Sequence, residues 1–237
     1  MNPTDDTPGL AVVLGGTGGI GAALADGLRQ QGHTVLAIGR RTAPALDYAD
    51  DSTVAAVAQF IAAELERTGL PLRRLVVATG ILHEGAVQPE RSWTHLDAAA
   101  LQRLFLVNTI GPALVMRHCL PLLPRKGRSV AAFISARVGS VGDNRLGGWY
   151  GYRASKAALN QLVHTAAIEL ARRCPQALCV ALHPGTVDTA LSQPFAKTGL
   201  EVRPPTVAAQ ALLQVMDTLP EGSNGGFFDH HGTTVPW

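Results

Sequence analysis

Short, uninterrupted apolar runs alternate with longer stretches of helical periodicity along this chain. The runs Leu10–Leu14, Thr34–Ile38, a short piece around Leu46, Leu75–Thr79, Val130–Ser135, Leu178–Leu182 and Gly226–Asp229 have strand length. Most are too uniformly apolar to face water, as expected of strands covered on both sides. Between them the spacing predicts helices over Ile20–Gln31, Ser52–Thr68, Leu96–Leu123, Tyr150–Arg173 and Thr206–Leu219. The alternation predicts an α/β fold of the doubly wound (Rossmann) type: a mostly parallel seven-stranded sheet with helices on both faces, three layers in all. Gly111-Pro112 predicts a kink in the third helix, because proline removes a backbone hydrogen bond. Leu159, Leu162, Val163, Ala166 and Leu170 form an apolar stripe that fits core packing, with part of it suited to a subunit contact. No repeat, linker or low-complexity stretch interrupts the pattern, so one domain over residues 1–237 is expected, with residues 1–9 as a flexible tail.

Composition narrows the function. Of 237 residues, 46% are hydrophobic and only 16% charged, against roughly 25% charged in an average soluble protein, which allows a large core and excludes disorder. Twenty basic and eighteen acidic residues leave +2, far from the excess needed to track phosphates, so nucleic acid is not expected as a partner. The start MNPTDDTPGL is polar, and no apolar run is seen to approach the roughly 20 residues of a membrane span. The expectation is a cytoplasmic protein with no membrane association. Cys119, Cys174 and Cys179 are odd in number and lack CxxC spacing, as suits a reducing compartment. No metal is expected. Eight histidines lack ligand spacing, and neighbouring side chains in Asp229-His230-His231 diverge on a strand.

The chemistry begins where the first strand runs into Gly15-Gly16-Thr17-Gly18-Gly19-Ile20-Gly21 and then a helix. Such a turn lets backbone N–H groups and a helix N-terminus meet a pyrophosphate, so Gly15, Thr17, Gly18, Gly19, Ile20 and Gly21 are candidate dinucleotide contacts. The second strand ends in Arg40-Arg41, with no carboxylate to take a ribose 2′-hydroxyl. Arginine there suits a 2′-phosphate, which predicts NADP in preference to NAD, with NAD still possible. Farther along, Tyr152 and Lys156 are four apart near the start of a helix and share a face. A tyrosine must lose roughly 3 pKa units, near 4 kcal/mol, to exchange protons well at neutral pH. A cation about 4 Å away at an effective dielectric near 20 supplies about that much, and Lys156 is the expected source.

The spacing Gly15-x-x-x-Gly19-x-Gly21, then Asn108, a Ser-bearing strand end, Tyr152-x-x-x-Lys156 and Pro184-Gly185-Thr186-Val187-Asp188-Thr189 resembles the short-chain dehydrogenase/reductase family over nearly the whole chain. The stretch Ser135–Tyr150 and the ending Pro236-Trp237 are most similar to its C-factor-type subgroup. The resemblance implies interconversion of a small-molecule carbonyl and alcohol with NAD(P), Tyr152 as acid/base, Lys156 also on the nicotinamide ribose, and Asn108 placing a relay water. It also implies Asp47 at the adenine, Gly80 near the adenosine ribose, and Pro184, Gly185, Val187 and Thr189 at the carboxamide and phosphates. A homodimer or homotetramer through the Leu96–Leu123 and Tyr150–Arg173 helices is implied too. A regulatory or signalling protein with vestigial turnover is the alternative. Two departures stand out. Ala136 occupies the place of the family's carbonyl-holding serine, leaving Ser135 and Ser140 as the candidate hydroxyls; and Val76-Val77-Ala78-Thr79-Gly80 lacks the family's paired asparagines. The segment Ala190–Pro205, with Phe195, Lys197 and Arg203, is expected to lid the substrate pocket, with Trp149 as a wall.

Overall fold

The computed structural model describes residues 7–193 and 201–237. In chain order the elements are β1 (Leu10–Leu14), α1 (Gly19–Gln30), β2 (Thr34–Ile38), α2 (Asp51–Thr68), β3 (Leu72–Val77), α3 (Ala98–Phe105), α4 (Gly111–Cys119), β4 (Ser129–Ile134), α5 (Tyr150–Arg173), β5 (Ala177–His183), β6 (Thr186–Val187), β7 (Val202–Arg203), α6 (Pro205–Thr218) and β8 (Phe227–Asp229). Six strands form one sheet in the order β2-β1-β3-β4-β5-β8, every pair parallel. The chain leaves β1 for β2 on one side and returns to β3 on the other. Their diverging connections open a crevice at the carboxyl ends of β1 and β3, where doubly wound sheets take ligands.

Alternate residues of each strand feed opposite faces. Leu10, Val12, Leu14, Leu75, Val77 and Phe133 pack under α2, α4 and α5, while Ala11, Val13, Val76, Ala132 and Val180 pack under α1 and α6. Both faces are covered, which is why β1, β4 and most of β5 read as continuous apolar runs.

The sheet has six strands rather than seven. Leu46 is buried, but its N–H bonds back to the Gly39 carbonyl at 3.0 Å instead of joining a ladder, and Pro44 beside it has no N–H to give. The apolar signal there marks a buried side chain in a loop. β3 begins three residues before its predicted start because Arg73 and Arg74 are buried while their guanidinium groups reach polar partners, the Arg128 carbonyl at 3.1 Å and Asp217 at 2.9 Å. A second, two-stranded sheet pairs β6 with β7.

The predicted helix Leu96–Leu123 is broken. Between α3 and α4, residues Leu106–Ile110 form a π-helical turn in which the Gly111 N–H bonds the Leu106 carbonyl. Pro112 has no N–H for the Asn108 carbonyl, its partner in an unbroken α-helix, so the backbone changes register one turn before the proline. By length and apolar content the stretch Ala98–Leu122 passes for a membrane span, contrary to the sequence expectation. Here it carries Arg103 and Arg117 and packs Leu104, Val115 and Cys119 inward. At the start of the described chain, Gly9 is tied down: its N–H donates to His33 Nδ1 at 3.2 Å and its carbonyl accepts from Thr34.

Candidate active site

The glycine turn between β1 and α1 is shaped by close backbone approach. Gly15 has φ +83°, and a Cβ on it would lie 2.9 Å from the backbone of Ala78; one on Gly21 would collide with the Gly15 carbonyl oxygen. Gly18 starts α1 with no side-chain cap, leaving the helix N-terminus open for an anion. The turn opens onto two clefts that share Ala78, Thr79 and Gly80 at the end of β3.

One cleft, about 210 Å³, is lined by Gly15, Thr17, Gly18, Arg40, Asp47 and Gly80 among the predicted contacts, and also by Tyr48, Thr79, Glu84 and Arg103. Arg41 is exposed and does not line it. Tyr48 was invisible to motif reasoning: its buried hydroxyl sits 2.9 Å from the Thr79 hydroxyl, and its ring fills the space over Gly111. This phenol braces Thr79, the one polar side chain of the stretch Val76–Gly80, which lacks the paired asparagines of the resembled motif. Burial raises its pKa, keeping it neutral.

The other cleft, about 340 Å³, is lined by Ile20, Ser135, Ala136, Arg137, Tyr152, Lys156 and Leu82, with Pro184, Gly185, Val187 and Thr189 along the opposite wall. Its size is that of a small-molecule site. Gly19 meets Thr189 closely, so the glycine turn and the Pro184–Thr189 turn face each other across it. Leu191 and Ser192 also line this cleft; Phe195 and Lys197 lie outside the described residues, and Arg203 on β7 pairs with Glu201 at 3.0 Å.

Helix α5 brings the chemistry to this cleft. It starts behind Trp149, which has φ +54°, uncommon for a bulky residue. Glu90, buried and 61 residues away, caps it: both carboxylate oxygens accept from the Gly151 N–H at 3.2 Å, and the Glu90 carbonyl accepts from Trp149 at 2.6 Å. Trp149 then packs edge-on to Tyr152, with ring centres 6.3 Å apart. Tyr150 does not line the cleft.

Tyr152 and Lys156 are both buried, and the Lys156 ammonium lies 5.9 Å from the Tyr152 ring centre. Lys156 Nζ donates to the Ile134 carbonyl at 2.9 Å. Burial pulls its pKa down to about 8 and pushes that of Tyr152 above its ordinary value, so each is held toward its neutral form. A Cβ on Gly80 would stand 3.4 Å from both Lys156 Nζ and Asn108 Oδ1, so glycine leaves the passage between the clefts open. The Asn108 side chain makes three hydrogen bonds: it accepts from the Ile81 N–H at 2.9 Å and donates to the Ile81 carbonyl at 2.9 Å and Ser155 Oγ at 3.1 Å. It therefore locks the Gly80–Ile81 backbone to α5.

Both candidate serine hydroxyls are engaged with other groups, although Ser135 lines the cleft with Tyr152. Ser135 Oγ donates to Asn160 Oδ1 at 2.6 Å, and Ser140 Oγ accepts from the Asp143 N–H at 3.0 Å; both residues are buried. Ala136 packs with Leu82, Leu104 and Tyr152 in an apolar cluster. His183 also lines the cleft, and burial pushes its pKa down to about 4, so it is neutral at physiological pH. The His230 and His231 rings lie 4.1 Å apart, tilted at 46°, and among the described residues no three His, Cys, Asp or Glu side chains gather into a metal site.

Comparison with known proteins places these features. The chain is 37% identical to the C-signal protein of Myxococcus xanthus over 142 residues, 60% of this chain and 81% of that one. It is 30% identical to 1-hydroxy-2-glutathionyl-2-methyl-3-butene dehydrogenase of Rhodococcus sp. (strain AD45) over 237 residues, covering 95% and 98% of the two chains. A crystal structure of NADPH-bound carbonyl reductase from chicken fatty liver shares the fold, with a TM-score of 0.80 at 22% identity over 97% of this chain and 99% of that one. The family described as short chain dehydrogenase matches residues 9–199, a span running from the entrance to β1 past β6 and so holding the glycine turn, α5 and both clefts. By that match, the chain belongs to the short chain dehydrogenase family.

Proposed function

We propose that the protein is a single-domain NAD(P)-dependent oxidoreductase that interconverts a small-molecule carbonyl and alcohol, with NADP preferred. The observation that carries this reading is the convergence of Tyr152, Lys156 and the glycine turn on two communicating clefts. The residues fit a dinucleotide: the cradle at Gly15 excludes a side chain, Gly80 keeps the passage open, and Arg40 stands at the 2′ end. A bound nicotinamide supplies or accepts the hydride.

Tyr152 donates its proton to the carbonyl oxygen in reduction and takes one from the alcohol in oxidation. Lys156, when charged, favours the phenolate and offsets the burial that opposes ionisation. By resemblance it also holds the nicotinamide ribose, with Asn108 placing a relay water. Pro184, Gly185, Val187 and Thr189 hold the far wall. Leu82, Val138, Trp149 and Leu191 exclude water and favour an apolar substrate body.

Ala136 favours a second reading, a cofactor-binding signalling protein with vestigial turnover, because Ala136 has no hydroxyl to orient a carbonyl and the Ser135 and Ser140 hydroxyls are engaged with other groups. A panel of aldehydes, ketones and diketones with NADPH, run beside Tyr152→Phe, separates the two. NADPH consumption well above the variant's on at least one substrate is the expected result; equal rates across the panel support the second reading. A homo-oligomer through α3, α4 and α5 is supported by exposed Ile110 on the turn between α3 and α4, by exposed Ile168 on α5 and by the apolar groove at Leu101, Phe105 and Leu106. Light scattering is expected to give at least a dimer mass, and a monomer mass contradicts this.

A further inference from the structure

The nucleotide-side cleft holds more charge than dinucleotide binding alone needs. Arg40 arrives from the end of β2 and Arg103 from α3, elements far apart in sequence, and both reach Glu84 in the loop after β3. Arg40 Nη1 lies 3.4 Å from Glu84 Oε1, and Arg103 Nε donates to Glu84 Oε2 at 2.7 Å. All three line the same cleft, beside Gly39 and Asp47.

Each arginine has five N–H donors in a planar fork. Among the described residues, each spends one on Glu84 and none on any other group. Arg103 holds the Glu84 carboxyl below the usual carboxylate range, so Glu84 stays ionised at physiological pH. A dianionic 2′-phosphate arriving at the end of β2 meets two cations with free donors, partly neutralised by the Glu84 carboxylate they bond and by Asp47, which also acts on Arg103. A ribose 2′-hydroxyl meets a carboxylate that accepts its hydrogen bond.

We propose that Arg103 is a second 2′-phosphate ligand and that Glu84, by holding Arg103 and Arg40, sets the ratio of NADP to NAD binding. This rests on the proposed dinucleotide site and deepens it. Arg40 remains the first phosphate ligand, and Glu84 is an internal competitor that weakens NADP binding while keeping NAD usable. The arginine pairs are partly exposed, so the competition is moderate and screened by salt.

The test is fluorescence titration of NADPH and NADH against the full chain and the variants Glu84→Gln and Arg103→Gln, with thermal unfolding to show that each is folded. Glu84→Gln is expected to tighten NADPH roughly five-fold, about 1 kcal/mol, without tightening NADH. Arg103→Gln is expected to loosen NADPH by a similar factor and leave NADH unchanged. Raising the salt concentration is expected to shrink both changes. Equal shifts for the two cofactors in both variants, or an unchanged ratio in both, overturn the proposal. Should one variant fail to fold, the other decides by the same criteria. Wild-type protein that binds neither dinucleotide overturns the proposed function itself, which separates the two failures.

Discussion

The two clefts that meet at Gly80 each lack a polar group the family motif supplies, and they answer the loss differently. At the proposed nucleotide end the segment before Gly80 lacks the paired asparagines of the resembled motif, and its one polar side chain, Thr79, is bonded by the Tyr48 hydroxyl from the loop after β2. At the proposed chemical end Ala136 stands where the resemblance places a carbonyl-holding serine, and the neighbouring serines are engaged elsewhere: Ser135 on Asn160 and Ser140 on its own turn. The first departure is compensated within the fold; the second leaves an apolar wall facing Tyr152. Binding and turnover are therefore expected to respond differently to substitution, with cofactor affinity robust and the rate limited by how well a carbonyl is oriented.

The sharpest break of this contrast is Lys156→Met. Turnover is expected to fall by roughly 100-fold or more, the scale of an acid–base contribution, read as kcat on the best substrate of the panel. The same variant carries a stability signature of opposite sign. Because burial lowers the Lys156 pKa to about 8 from an ordinary 10.5, the fold bears the cost of the buried charge in full below about pH 8, and the cost fades as pH rises toward 10.5. Lys156→Met is expected to stabilise the cofactor-free protein at pH 7 by on the order of 2 kcal/mol. Thermal unfolding across pH 7 to 10.5 is expected to show that gain shrinking.

Next in size is Ala136→Ser, which restores a donor beside Tyr152. It is expected to raise kcat/KM about ten-fold, less than the hundred-fold or more lost when a well-placed donor is removed, with NADPH affinity unchanged. Tyr48→Phe acts on the other cleft. Loss of its bond to Thr79 is expected to weaken NADPH and NADH alike by roughly five-fold, about one net hydrogen bond, with kcat retained. Smallest in activity is Ser135→Ala, expected to leave kcat within about two-fold while lowering stability by about 1–2 kcal/mol, because Asn160 Oδ1 is left buried and unpaired. A large loss of kcat there assigns Ser135 to the substrate instead.

Much of this architecture is legible in the chain because strands buried on both faces need long apolar runs; β1, β2 and α5 fall where periodicity places them. The misreadings have local causes. Leu46 is apolar because its side chain is buried, which carries no information about ladder pairing. Arg73 and Arg74 look like a strand boundary, yet long side chains let a buried backbone carry charges to polar partners. Pro112 announces a disturbance in the third helix but not the π-turn that absorbs it. At the site, the glycine turn and Tyr152-x-x-x-Lys156 are visible because their members are close in sequence. Tyr48 on Thr79, Glu84 between two arginines, and Glu90 on the α5 terminus are contacts across 19 to 61 residues, which no local spacing encodes.

The most direct test of the central claim is a crystal structure with NADP bound. The account predicts the 2′-phosphate on Arg40, the pyrophosphate over the Gly15–Gly21 turn, and the reactive carbon of the nicotinamide facing the Tyr152 hydroxyl across the cleft walled by Ala136 and Trp149. A nicotinamide ring turned away from Tyr152, or a dinucleotide shut out of that cleft by its own side chains, contradicts it.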